Sequence, residues 1–273
     1  MNSMLTEPFF SDQERTDAAL FEIAAGVAAF YSVPSPDRSA ANEDAAALIP
    51  VDDTRAVLAV ADGVGGHRAG QGASHAAVRC IADALSGISS SEDLLRTAIL
   101  DGVETSNRKM LEQGAGAGTT LAVTELAGTT LRSYHVGDSA VLVVGQRGRL
   151  KLQTIAHSPV GYALESGYIN EKDALRHDER HLLSNMVGSA DMRIEVGAPI
   201  ELAARDTVLL ATDGLWDNMS LEEVIDTIRS GSLAVATETL AQTCSRRMRS
   251  ATGNQPSKPD DLTFVLFRLA SNR

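Results

Sequence analysis

The spacing of apolar residues divides the chain into regions of different predicted structure. The apolar stretches 21–33 and 55–62 are short and bounded by polar segments, which favours strands. Residues 72–85 and 91–113 repeat apolar positions at intervals of three and four, so they predict two helices. From residue 118 onwards, apolar and polar positions alternate in four strand-length runs separated by glycine-bearing turns. This alternation predicts a meander of antiparallel strands.

The C-terminal part of the chain combines both patterns. Strands are predicted at 193–202, 206–214 and 261–270, and helices at 221–230 and 233–250. Neighbouring strands follow one another directly instead of alternating with helices, which indicates an α+β fold with antiparallel sheets.

We expect a single domain over residues 21–273, because neither a repeat nor a low-complexity linker divides this region. Residues 1–20 are polar and predict an N-terminal extension. They show neither the basic region nor the apolar core of a signal peptide. Cys80 and Cys244 lack metal-ligand spacing and are expected to be reduced, which favours a cytoplasmic location.

The charge balance narrows the classes of partner. The chain has 273 residues and a formal net charge of -12 at pH 7. This acidity argues against binding to nucleic acid, which requires a basic face, and against binding to an anionic membrane surface. It is compatible with a protein that gathers carboxylates around metal cations.

Acidic residues recur where predicted strands begin or end. They are Glu43, Asp44, Asp62, Asp138, Asp213, Asp260 and Asp261. A carboxylate at a strand end is held rigidly while its oxygens face open space, and Mg²⁺ and Mn²⁺ prefer such oxygen ligands. Converging acids without a cation would raise one another's pKa. A single Asp-Gly pair after a strand more often indicates a turn, so only the combination points to a metal site.

The motifs ANED, VADGVGGH, GAGTTL, HVGDSA, LLATDGLWD and DDLT follow one another between Arg38 and Leu269. Together they resemble the PPM family, the PP2C-type metal-dependent protein serine/threonine phosphatases, and the form DGVGGH is similar to the bacterial branch. The resemblance implies a four-layer α-β-β-α sandwich of two antiparallel sheets flanked by helices. It also implies two Mg²⁺ or Mn²⁺ ions at one edge of the sandwich, with a third, weaker site in some members.

The resemblance implies a set of metal ligands. They are Glu43, Asp44, Asp62, the Gly63 carbonyl, Asp138, Asp213 and Asp260. In this set Asp62 bridges the two ions, Glu43 reaches the second ion through water, and Asp138 belongs to the third site. Asp261 remains an alternative to Asp260, because DDLT stands where the family has DN-x-T.

The catalytic residues that the resemblance implies are Arg38, Asp62 and His67. Arg38 matches the phosphate-binding arginine, whose planar guanidinium suits a phosphate. His67 is the nearest candidate for a general acid, and a histidine that only shapes the entrance is the alternative. Two neighbouring cations would lower the pKa of a shared water, which predicts hydrolysis of phosphoserine and phosphothreonine in proteins.

The resemblance implies phosphorylated proteins as substrates and a Ser/Thr kinase as the natural counterpart. Residues 157–188 match the family's flap beside the active site. Neither G-x-x-x-x-G-K-[ST] nor G-x-S-x-G occurs, which argues against P-loop nucleotide hydrolysis and against a serine hydrolase. One alternative stays open, a weakly active or inactive PP2C-like module that binds phosphoproteins.

Overall fold

The computed structural model describes residues 3–11, 15–37, 41–65, 68–88, 92–114, 116–251 and 255–270. The strands in these ranges are β1 (Ser3–Met4), β2 (Phe9–Phe10), β3 (Arg15–Ile23), β4 (Gly26–Val33), β5 (Asp44–Pro50), β6 (Arg55–Val64), β7 (Gly118–Thr119), β8 (Leu121–Ala127), β9 (Thr130–Val136), β10 (Ala140–Val144), β11 (Leu150–Gln153), β12 (Glu195–Val196), β13 (Ile200–Glu201), β14 (Thr207–Ala211) and β15 (Leu262–Leu269). The helices are α1 (Arg68–Leu85), α2 (Glu92–Gln113), α3 (Pro159–Glu165), α4 (Glu171–Ala174), α5 (Asp213–Trp216), α6 (Leu221–Ile228) and α7 (Leu233–Arg249).

The strands form two sheets. One has the order β1-β3-β4-β15-β14-β10-β11, and the other has the order β12-β9-β8-β6-β5-β2, with β13 paired to β9 and β7 paired to β6. The strand pairs are antiparallel, except for the parallel two-residue pair of β1 and β3. The predicted α+β class with antiparallel sheets is therefore confirmed.

Alternation along the strands produces the layers. In β5, Ala45 and Ala47 pack with the buried face of α1 and α2, whereas Ala46 and Leu48 pack between the two sheets. Successive side chains of a strand point to opposite faces, so a fully buried strand needs apolar residues at every position. The outer face of the other sheet is covered by α6 and α7, where Leu240 is fully buried. The result is the four-layer α-β-β-α arrangement.

Residues 21–33, predicted as one strand, form parts of two strands of a hairpin, β3 and β4. The chain reverses at Ala24 and Ala25, whose φ angles are 50° and 55°. Positive φ at both central positions of a two-residue turn matches the twist of the flanking strands, but Asn-Gly or Asp-Gly is the usual sequence signal. The single-strand prediction was wrong because two alanines carry no such signal.

The described part of the N-terminal arm is built into both sheets. β3 crosses the predicted boundary after residue 20, and β2 pairs with β5 in the other sheet. The Phe9 ring lies 4.7 Å from that of Phe21 and 5.2 Å from that of Phe30, measured between centroids. These aromatic contacts fix β2 against the inter-sheet core.

The two cysteines, Cys80 in α1 and Cys244 in α7, are free and buried. Burial raises the pKa of the Cys244 thiol to about 12, so this side chain behaves as a small apolar residue. In the described part of the chain, the helices are too short or too polar to span a membrane.

Candidate metal centre

Five of the acids predicted as metal ligands line one cavity of about 650 Å³. They are Glu43, Asp62, Asp138, Asp213 and Asp260, and Gly63 lines the same cavity. Asp62 and Asp138 come from the end of β6 and the turn after β9 in one sheet, and Asp213 follows β14 in the other. Acids that are far apart in sequence therefore meet where strand ends of both sheets come together.

Hydrogen bonds hold both the backbone N–H group and the backbone carbonyl of Asp62. Its N–H donates to Thr120 Oγ1 at 3.0 Å, and its carbonyl accepts from Thr120 N at 2.9 Å and from Thr119 Oγ1 at 2.8 Å. Across the sheet, Asp44 of β5 lies directly opposite Asp62 of β6. These bonds give the Asp62 carboxylate a defined position, which a metal ligand requires.

The glycines after Asp62 allow backbone segments to approach closely. A Cβ added to Gly63 would lie 2.3 Å from the carbonyl oxygen of Gly70 and 2.7 Å from that of Glu43. A Cβ on Gly70 would lie 2.7 Å from Glu43 Oε1. Only glycine permits this packing of β6, the start of α1 and Glu43. Glycines are thus needed in this segment because the backbones of Gly63, Gly70 and Glu43 approach one another beside the acidic cavity.

Asp260 and Asp261 have different environments. Asp261 Oδ1 accepts from Ser35 N and Asp261 Oδ2 accepts from Glu43 N, both at 2.7 Å. Both Asp261 oxygens are therefore used to hold buried backbone N–H groups. Both residues line the cavity, but Asp260 Oδ2 lies 3.0 Å from Lys258 Nζ, while its Oδ1 accepts from Asp261 N at 3.0 Å. This difference favours Asp260 over Asp261 as the ligand.

Asp44 lies behind the acids that line the cavity. It is buried, and its Oδ2 accepts from Thr212 Oγ1 at 2.8 Å. Burial and the neighbouring charge of Asp261 raise the pKa of Asp44 well above its ordinary range. Asp44 therefore lies outside the lining of the cavity, in a position that suits an acid that supports the acids lining it.

Burial and mutual repulsion raise the pKa of several acids of the cavity. Burial, followed by repulsion from Asp213, raises the pKa of Asp62 well above its ordinary range. The same two causes raise the pKa of Asp138 to about 8 and that of Asp260 to about 6. Buried carboxylates this close cannot all ionise without a cation. Hard oxygen donors of this kind fit Mg²⁺ or Mn²⁺, so the residues present suit the divalent ions that the resemblance implies.

These shifts predict a pH dependence for the metal-free protein. The pKa of Asp138 rises from 3.8 to about 8 on folding, so the folded state binds this proton more tightly than the unfolded state. Its contribution to stability is complete below the ordinary pKa and is lost as the pH rises through about 8. With a chelator present, we expect the melting temperature to fall between pH 6 and pH 8.5. Differential scanning fluorimetry measures it, and Asp138→Asn should flatten the profile. An equally steep profile in that variant would contradict this origin.

Two further residues of the cluster escaped the sequence analysis. Asp217 and Lys258 lie beside Asp213, and Lys258 Nζ is 2.7 Å from Asp217 Oδ2 and 2.6 Å from Asp213 Oδ2. Burial and the charge of Asp213 raise the pKa of Asp217. Burial acts to lower the pKa of Lys258, but Asp213, Asp217 and Asp260 outweigh it and raise that pKa. The spacing of four residues between Asp213 and Asp217, one helical turn, was an available signal for Asp217.

His157 holds the turn that carries Asp138. Its Nδ1 accepts from Gly137 N at 3.1 Å and from Asn185 Nδ2 at 2.9 Å, while its own backbone N–H donates to the Gly137 carbonyl. Because Nδ1 accepts from two N–H groups, the ring proton lies on Nε2, which faces Glu195 at 3.2 Å. This tautomer leaves neither ring nitrogen free to bind a metal, so His157 is a support for Gly137, whose φ is 98°.

Two of the predicted catalytic residues, Arg38 and His67, lie outside the described residues. The segment matched to the flap borders the cavity through His181, Leu182, Leu183 and Met186. It therefore lies beside the acidic cluster.

Comparison with known proteins gives consistent matches. The family model described as "Protein phosphatase 2C" matches residues 37–252. The chain is 32% identical over 199 residues to the protein phosphatase PhpP of Streptococcus pneumoniae, covering 69% of this chain and 79% of the relative.

Solved structures agree with these sequence matches. The serine/threonine phosphatase of S. agalactiae is 26% identical, with a TM-score of 0.76 and coverage of 89% of this chain and 98% of that one. The catalytic domain of the phosphatase PstP, solved in complex with two manganese ions, is 25% identical, with a TM-score of 0.69 and coverage of 89% and 98%.

Proposed function

Because this chain belongs to the protein phosphatase 2C family and is a metal-dependent protein serine/threonine phosphatase, we propose that its acidic cavity is a dinuclear Mg²⁺ or Mn²⁺ centre. The observation that carries the proposal is the convergence of Glu43, Asp62, Asp138, Asp213 and Asp260 on one cavity. The two manganese ions bound by the PstP catalytic domain support the number of ions.

We assign the ligands from the resemblance, and their shared position in one cavity supports the assignment. Asp62, Asp213 and Asp260 would hold the first ion, and Asp62 would also contribute to the second. Gly63 and Glu43 lie next to Asp62 on the side of β5, where the Glu43 carbonyl accepts from Gly63 N at 3.2 Å. These two residues would serve the second ion. Bound divalent ions would supply a water of lowered pKa and positive charge opposite the phosphate.

The residues of the chain perform three tasks in this proposal. The rigid backbone around Asp62 fixes the ligand geometry, and Asp44 and Asp261 hold the strand ends that carry the ligands. Arg38 binds the phosphate oxygens through its guanidinium group. His67 protonates the leaving alkoxide of serine or threonine. These last two roles stay predictions from the resemblance.

The substrates are phosphorylated proteins, and we propose a Ser/Thr kinase as the counterpart whose products this enzyme hydrolyses. A net charge of -12 disfavours nucleic acids and anionic membranes as partners. The cytoplasmic location also stays a prediction. The alternative of an inactive phosphoprotein-binding module finds no support, because the acids required for a dinuclear centre are present and gathered in one cavity.

Release of phosphate from phosphothreonine and phosphoserine peptides tests the proposed centre. We expect turnover in the presence of Mn²⁺, loss of turnover in excess chelator and recovery when Mn²⁺ is restored, because the acidic cavity needs cations to work. Binding of the same peptides is measured in parallel. Tight peptide binding without turnover in Mn²⁺ would instead favour the binding module.

A further inference from the structure

Lys258 contacts three carboxylates, those of Asp213 and Asp260 in the lining of the acidic cavity and that of Asp217 beside it. Its Nζ lies 2.6 Å from Asp213 Oδ2, 2.7 Å from Asp217 Oδ2 and 3.0 Å from Asp260 Oδ2. An ammonium group has three N–H donors and no acceptor, so each donor has one carboxylate partner. Among the described residues that line the cavity, Lys258 is the one lysine or arginine. Its positive charge therefore lies against two proposed ligands of the metal centre, Asp213 and Asp260.

The backbone of Lys258 is held in place by the fold. Asn218, which is fully buried, accepts from Lys258 N at 3.0 Å and donates to the Lys258 carbonyl at 2.8 Å. Arg247 of α7 in turn donates to the Asn218 carbonyl at 2.6 Å. Pro256 and Pro259 flank the lysine and restrict the backbone on both sides. The ammonium group is thus directed into the cavity by a supported loop.

Asp217 already has two cationic neighbours. Besides Lys258, Arg180 Nε lies 3.6 Å from Asp217 Oδ2. A divalent ion that binds between Asp213 and Asp217 would need the oxygen atoms that Lys258 now contacts. Such an ion also carries twice the charge of the ammonium group and would repel it at short range. The two cations cannot occupy this place together.

We propose that Lys258 is a tethered cation that fills the side of the acidic cluster bounded by Asp213, Asp217 and Asp260 and competes there with any divalent ion beyond the first two. This inference rests on the proposed dinuclear centre. It assigns to Lys258 a role in setting how many ions the chain binds and how tightly. The charge of the lysine takes the place of a further metal ion.

Counting bound Mn²⁺ tests this role without an activity assay. Free Mn²⁺ is followed by electron paramagnetic resonance during titration of the wild type and of Lys258→Gln. We expect two ions per wild-type chain, and in the variant either a third ion or a weakest site at least about tenfold tighter, because one competing charge is gone. Lys151→Gln is the matched control, since Lys151 is 26% exposed against 23% for Lys258 and pairs with Asp206, which is not among the cavity's lining residues. It should bind Mn²⁺ as the wild type does.

Identical isotherms for the wild type and Lys258→Gln would overturn the role of Lys258, and so would a variant that binds fewer ions. A different result would refute the proposed dinuclear centre itself: a wild type that binds no Mn²⁺, or an Asp62→Asn variant that binds Mn²⁺ as the wild type does. Wild-type crystals soaked in Mn²⁺ give a measurement that does not depend on the variant folding. We expect Lys258 Nζ to remain between Asp213 and Asp217. An anomalous peak at that place, with the lysine displaced, would refute the competition.

Discussion

Asp62→Asn is expected to lower the turnover of a phosphothreonine peptide in Mn²⁺ by at least about a thousandfold, because it removes the charge of the proposed bridging ligand while it keeps the shape of the side chain. Asp62 lies opposite Asp44 across the sheet and close enough to Asp213 and Asp138 for their charges to raise its pKa. A neutral amide relieves this repulsion. We therefore expect the metal-free variant to melt at the same temperature as the wild type or at a higher one.

The control for this change is Asp226→Asn on α6. The Asp226 side chain is 66% exposed and pairs with Arg229. The same chemical change there should leave turnover within about twofold of the wild type, since exposed ion pairs contribute little. Steady-state phosphate release and thermal melts of all three proteins make the comparison. An Asp62→Asn variant with a tenth or more of wild-type activity would rule out a bridging role for this residue.

Asp261→Ala is expected to lower the free energy of unfolding by about 3 kcal/mol or more, because it leaves two buried backbone N–H groups without a partner. The groups are those of Ser35 and Glu43, each 2.7 Å from an Asp261 oxygen. Hydrogen bonds to an ionised acceptor are stronger than neutral ones, and an unsatisfied buried donor costs its full desolvation energy. Urea denaturation in the presence of a chelator measures the loss.

Asp260→Ala is the matched comparison, because Asp260 lines the same cavity but pairs through Oδ2 with Lys258, whereas both Asp261 oxygens hold backbone N–H groups. Burial and the charge of Asp213 raise the pKa of Asp260 to about 6. Its removal should therefore cost the metal-free protein little stability, while it weakens Mn²⁺ binding. If the two variants lose equal stability and bind Mn²⁺ equally, then the division of roles between Asp260 and Asp261 is wrong.

The sequence predicted the residues of the site better than their arrangement. Asp62, Asp138 and Asp213 could be found because each follows an apolar strand, and a strand end fixes a side chain through local structure alone. The six motifs in order also identified the fold and the family. Lys258 could not be found in this way, because no local pattern distinguishes a lysine directed into a cavity from one directed into solvent. Its contacts are with Asp213 and Asp217. Asp213 lies 45 residues before Lys258 along the chain.

The turn at Ala24 and Ala25 shows the same limit for the fold. Both alanines adopt positive φ, which costs energy in isolation and is sustained here by the pairing of β3 with β4. The aromatic contacts of Phe9 with Phe21 and Phe30 likewise join segments that the sequence pattern left apart.

The sequence by itself therefore determined most of the long strands and helices, the acids at strand ends and the family to which they belong. These features depend on periodicity and on short motifs, which are local properties of the chain. The tertiary structure alone decided that both Asp261 oxygens hold backbone N–H groups while Asp260 pairs with Lys258, and that Lys258 contacts the acids of the cavity. Adjacent acids in one motif differ because their partners differ: Asp261 accepts from Ser35 and Glu43, which are distant along the chain, and Asp260 pairs with Lys258. Such through-space interactions have no signature in the order of residues.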